Sequence, residues 1–151
     1  MVTNDEIKVI KQFCGLFGLI EDRVIVSETE EMITVAIDVP ESEAGRFIGR
    51  FAATLDAMQL LLSMMLNRDQ AEHRHVVVDV AGYRSRRLET LKSMVSRIQH
   101  EVAASGSPRA LPPLSASERR EIHLMFKDDG KFTTFSQGEG PDRRVFIAPR
   151  T

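Results

Sequence analysis

A chain of 151 residues with 42% hydrophobic content is long enough for one ordinary domain or two small ones with real cores. The longest apolar-rich run, Ala52 to Leu66, is broken by Thr54, Asp56, Gln59 and Ser63 and is too short to cross a bilayer. With Asn4, Asp5 and Glu6 where a positive n-region would stand, no secretory signal is expected, and a lone cysteine, Cys14, excludes an internal disulfide and suits a reducing cytoplasm. The net charge of −2 hides an asymmetry: residues 1–82 hold seven Lys/Arg against fourteen Asp/Glu, and residues 83–151 hold thirteen against eight. Any electrostatic footprint for a polyanion therefore belongs to the second stretch.

In chain order, Ile7, Val9, Ile10, Phe13, Leu16 and Phe17 recur at helical spacing, with Thr3 or Asn4 as cap and Gly18 as stop. The β-branched segments "RVIVSE" and "MITVAIDV", parted by the acidic "TEE" (29–31), predict a hairpin that Pro40 ends. Two helical segments follow, 42–48 and 53–67, and then a strand, "HVVVDV", over 75–80. Helix, strand, strand, helix, helix, strand makes a compact layer with helices covering one sheet face. A long helix runs from Tyr83 to about Ala104, with Leu88, Leu91, Val95, Ile98 and Val102 as its apolar stripe. "SGSPRALPP" ends it as a linker ordered at Leu111 and Leu114. Ser115 and Glu118 form a capping-box pattern that starts another helix near Ala116. "KFTTFSQ" and "RRVFIA" flank "GEGPD" as a closing hairpin.

Two places have the chemistry of an anion site. In the first, Gly49, Arg50, Phe51 and Ala52 join two helices; a glycine admits a phosphate to the main chain and the next helix offers unpaired N–H groups. In the second, Arg119 and His123 lie four apart and so share a helix face, with Arg120 and Lys127 extending the positive charge. Arginine can fork two hydrogen bonds to a phosphate, and imidazole can donate a bond or stack on a base. Arg143 and Arg144 add charge from a strand, on opposite faces by alternation. Arg84, Arg86 and Arg87 sit near a helix start, where a cation calls for an anionic neighbour: a phosphate or the acidic first half. His73 and His75 lack further ligands for a metal, "KDDG" (127–130) reads as a turn, and no nucleotide-binding loop or nucleophile elbow is present. The helix over 53–67 spreads Leu and Met over more than one face, which suits a core plus a protein contact.

"IGRFAATLDAMQLLLSMMLN" and "HVVVDVAGYRSRRLETL", with "ERREIHLMFKDDGKFTTFSQGEGPDRRVFIAP", together resemble the bacterial Jag family. The resemblance implies an α+β chain: a type II KH domain over 1–82, a three-stranded sheet with helices on one face, then a small α/β R-3-H domain over 83–151. It implies a non-enzymatic, cytoplasmic binder of single-stranded RNA, or of single-stranded DNA, with no cofactor, no metal and no direct membrane insertion. It also implies a role in cell elongation and envelope synthesis, and a second small KH protein or a homodimer as partner. The alternative is a KH-mediated dimerisation or adaptor module that binds RNA weakly or not at all. Carried over by position, the nucleic-acid contacts are Arg119 and His123 in the second domain and Gly49, Arg50, Phe51 and Ala52 in the first, with Arg120, Arg143 and Arg144 joining the second set by their charge. Family members normally carry Gly-x-x-Gly in that loop. Here Ala52 replaces the second glycine, with its methyl expected where a phosphate should approach, and Phe51 stands where a polar or basic residue is usual.

Overall fold

The computed structural model describes residues 2–30, 32–68 and 70–150. Of the acidic "TEE" between the first two strands, Glu31 lies outside the described residues. The chain divides after Arg84 into two compact units.

The first unit runs α1 (Asn4–Leu16), β1 (Val24–Glu28), β2 (Met32–Ile37), α2 (Glu41–Ile48), α3 (Ala53–Leu66) and β3 (His75–Val80). Its sheet order is β1-β2-β3. The hairpin pairs antiparallel, Val24 opposite Ile37, while β3 joins β2 in parallel, Met32 opposite His75. Parallel pairing demands a crossover, and α2 and α3 supply it. Strict alternation then buries Ile33, Val35 and Ile37 of β2 with Val76, Val78 and Val80 of β3. These pack with Ile10, Phe13 and Cys14 of α1, Phe47 of α2, and Leu55, Met58 and Leu62 of α3. Cys14 is fully buried, and that burial pushes its thiol up to about 11, so it is an inert core residue rather than a nucleophile.

Polar ties hold the connections of this unit. Thr3 and Glu6 form a reciprocal capping box at α1. Asn67 bridges the end of α3 to the approach of β3, donating to the Ser63 and Arg74 carbonyls and accepting from the Arg74 N–H at 2.8 Å. Arg74 in turn pairs with Glu6.

Arg84 settles one of the questions raised by the cations at 84–87. Its guanidinium donates to the Val78 carbonyl (2.9 Å), Gln59 (2.8 Å) and Asp56 (3.3 Å), so the acidic first unit neutralises it.

The second unit contains α4 (Tyr83–Ser105, from Ser85 onward), β4 (Arg109–Ala110), α5 (Ala116–Met125), β5 (Phe132–Gln137) and β6 (Arg144–Pro149). The sheet order is β4-β6-β5, all antiparallel. Leu91, Val95, Ile98 and Val102 of α4 pack with Leu111, Leu114, Ile122 and Phe126, and with Val145 and Ile147 of β6. Leu111 and Leu114 thus anchor the Pro-rich segment, as expected. The two-residue strand β4 inside it was not expected, because a pair of residues between Pro108 and the Leu-Pro-Pro run carries no periodicity to read. Asp129 accepts from the Lys131 and Phe132 N–H groups at 2.7 and 2.8 Å, which makes "KDDG" a side-chain-closed turn.

Candidate nucleic-acid interface

Helix α5 begins where Ser115 accepts from the Glu118 N–H (3.2 Å) and Glu118 accepts from the Ser115 N–H (2.9 Å). Glu118 also accepts from Arg87 of α4 at 2.5 Å. Burial pushes its carboxyl up, but Arg87 and the Ser115 N–H outweigh that and hold it below the usual carboxylate range. A single carboxylate therefore fixes both the start of α5 and its seat on α4.

One turn on, Arg119 and His123 share a face as the four-residue spacing requires. Arg119 is half-buried and donates to the Leu114 carbonyl at 2.7 Å, which uses one of its five donors and locks the rest of the fork. His123 reaches across to β5, where its Nδ1 meets Thr134 Oγ1 at 2.7 Å and its Nε2 meets Ser136 Oγ at 2.9 Å. Burial lowers its pKa below the usual imidazole value, and the charges of Arg143 and Arg119 lower it further. His123 is therefore neutral at pH 7. Both of its nitrogens meet strand hydroxyls, so His123 braces α5 against β5 while also lining the cleft where a ligand contact was expected.

Around this brace lies an open cleft of about 390 Å³. Arg119, Arg120, Lys127 and Arg143 supply its charge, and His123 and Ser136 form part of its wall. None of its described lining residues is acidic. Arg143 is oriented from the hairpin turn, donating to the Gly138 carbonyl at 3.1 Å. That turn needs glycine at 138, where φ is +91° and a Cβ would meet the Asp142 carbonyl at 2.9 Å.

Arg144 is not part of the cleft. It starts β6 and donates to the Pro141 carbonyl at 2.7 Å. Four of the five predicted residues of this unit thus come together, and Arg144 does not. Thr134 and Ser136 escaped the sequence reading, although their two-residue spacing puts both on one strand face.

The loop of the first unit is built differently. Gly49 has φ +72°, and a Cβ there would lie 2.2 Å from Thr54 Oγ1, so glycine is obligatory. Phe51 and Ala52 follow with φ of 52° and 60°, left-handed conformations that cost L-residues strain. Ala52 is half-buried and packs against the buried cluster. Phe51 is exposed, and the Arg50 guanidinium lies 5.2 Å from its ring centre. Arg50 is the one cation of the four-residue loop.

Residues 89–149 match the R-3-H domain family. The chain is 38% identical over 109 residues to the RNA-binding protein KhpB of Lactiplantibacillus plantarum, covering 72% of this chain and 34% of that protein. It is 34% identical over 122 residues to the RNA-binding protein KhpB of Clostridium symbiosum, covering 81% and 54% respectively. Against the RNA-binding protein KhpB of Bacillus subtilis, identity is 31% over 125 residues, covering 82% and 60%. These matches support a KhpB-type, or Jag-type, protein. It spans between about a third and three fifths of the length of these relatives. The matched R-3-H segment contains every residue of the α5–β5 cleft, whereas the loop at 49–52 lies outside it.

Proposed function

We propose that this chain is a non-enzymatic binder of single-stranded nucleic acid, with RNA as its ligand, and that the cleft on α5 makes the principal phosphate contact. One observation carries the reading: four cationic side chains converge on a cleft with no described acidic lining, in a chain of net negative charge. Backbone phosphates supply the complementary charge, and the guanidinium forks of Arg119, Arg120 and Arg143 fit them. The relatives' names support RNA over other polyanions. The first unit is proposed to be a type II KH domain, on its α-β-β-α-α-β order and the glycine-led loop between two helices. With one cation and an acidic surround, that loop is a secondary contact at most. A role in cell elongation and envelope synthesis rests on the family resemblance alone.

The test is binding of a labelled single-stranded RNA by the whole chain at low and moderate salt. Affinity should fall steeply with salt, since each phosphate neutralised on a single strand contributes roughly 0.7 to the logarithmic slope. No detectable binding at low salt would overturn the proposal.

A second reading has its own observation. On α3, Leu60, Leu61, Met64 and Met65 are all exposed, at 61, 47, 63 and 47%. They form a continuous apolar stripe opposite the buried Leu55, Met58 and Leu62, and such a stripe suits a homodimer or a second small KH protein. Leu61→Lys should leave a dimer monomeric by sedimentation; an unchanged mass would sink this reading.

A further inference from the structure

The sheet of the second unit has two faces, and the cleft uses only one. Thr134 and Ser136 of β5 turn toward His123 on α5, and Val145 and Ile147 of β6 turn into the core. Alternation sends Phe135 and Phe146 to the other face. They are paired directly across the ladder, with ring centres 5.1 Å apart and planes 3° from parallel. Burying such a pair would be the ordinary use of two phenylalanines, yet Phe135 is 40% exposed. Of the residues that alternation places on that face, Ala148 of β6 is buried, and it lies outside this unit's buried cluster.

The stack has a closed end and an open end. Phe146 sits on the central strand with Ala110 of β4 as its other cross-strand neighbour. Phe135 sits on β5, the edge strand, with no further strand beyond it among the described residues. A flat ring can therefore extend the row outward, in the offset geometry that aromatic pairs favour. The same face carries the cross-strand pair Gln137 and Arg144, two residues on from Phe135 and two before Phe146. Arg144 holds one nitrogen on the Pro141 and Arg143 carbonyls, which orients the guanidinium and uses part of its donor set. Next to an exposed aromatic face stand an amide, able to donate and accept, and a cation.

Those are the parts of a nucleobase seat, and we propose that the open face of Phe135 stacks an unpaired base of the bound strand, with Arg144 taking a neighbouring phosphate and Gln137 meeting the base edge. The proposal rests on the nucleic-acid reading above and adds to it a second subsite, across the β5 edge from the cationic cleft. Ser136 in the cleft wall and Phe135 on the platform are chain neighbours facing opposite ways, so a single strand folded over the edge reaches both. It also gives Arg144 a use that the cleft does not.

The chain has no tryptophan, so Phe135→Trp places a unique reporter on the platform. Titration of the whole chain with a single-stranded RNA octamer should quench its emission, and an abasic octamer with the same phosphates should not. Phe135→Ala should weaken binding of the RNA octamer about fivefold or more and leave abasic binding unchanged. Phe135→Leu, which keeps apolar bulk on the strand, should weaken RNA binding likewise and guards against misfolding as the cause. Equal quenching by both oligomers, or full affinity in the Ala and Leu variants, would overturn the base seat alone if RNA still binds and Arg120→Ala with Lys127→Ala still weakens it. Failure of wild type to bind any octamer at low salt would overturn the proposed function, and the base seat with it.

Discussion

The two units each offer a helix-borne candidate anion site, and they differ in what holds it in place. At 49–52, one cation stands on a loop whose backbone is strained at Phe51 and Ala52, in a half of the chain with seven Lys/Arg against fourteen Asp/Glu. At 119–143, four cations sit around a helix that is capped, paired to α4 through Glu118 and pinned to β5 through His123. Gly-rich loops work by letting phosphate approach the main chain; the α5 cleft, as proposed, would work by charge density on a rigid frame. The comparison teaches that an anion-site motif is only as good as its local charge and its supporting contacts.

The largest expected effect probes the frame. Glu118→Ala removes the reciprocal cap and deprives Arg87 of this carboxylate, and should destabilise the second unit by about 2 kcal/mol in urea unfolding. A cost near zero would mean that the cleft is no better braced than the loop.

Next comes the charge. Arg120 and Lys127 are exposed, so Arg120→Ala with Lys127→Ala should fold normally and lower RNA affinity about tenfold at low salt, with the logarithmic salt slope shallower by roughly 1.4. Arg50→Ala should change affinity less than about twofold. Equal losses by fluorescence anisotropy would erase the distinction between the sites.

A smaller effect sharpens the loop's side of the comparison. Ala52→Gly relieves a left-handed alanine and should stabilise the first unit by about 0.5–1 kcal/mol, with RNA affinity unchanged. A clear gain in affinity would instead make residues 49–52 a weakened clamp.

The smallest effect is a pH dependence confined to the cleft. The folded-state pKa of His123 lies below its unfolded value, so the unfolded chain takes up the proton first as pH falls. The stability that His123 contributes is complete above about pH 6.5 and is lost as pH falls through the lowered folded value. Thermal melts between pH 7.5 and 5 should show this in wild type and lose that component in His123→Phe; an identical profile in both would remove His123 as the brace.

Much of the frame was legible from pattern alone. The β-branched content of "MITVAIDV" and "HVVVDV" marked strands of the first sheet, and Ser115 with Glu118 marked the start of α5, because both depend on chemistry within a few residues. Arg119 and His123 could be placed on one face for the same reason. What pattern did not reveal was the partner of each polar group. Thr134 and Ser136 are eleven and thirteen residues from His123, and Arg87 is thirty-one from Glu118.

The order of the main elements, the apolar helix stripes and the segregation of charge followed from local propensity and periodicity. That His123 braces α5 against β5, that Ala52 packs on the buried cluster, and that Arg143 lines the cleft while Arg144 does not all emerged from the fold. Those outcomes depend on which surfaces meet when distant segments pack and on which donors and acceptors then fall within hydrogen-bond reach. No local pattern encodes that distance.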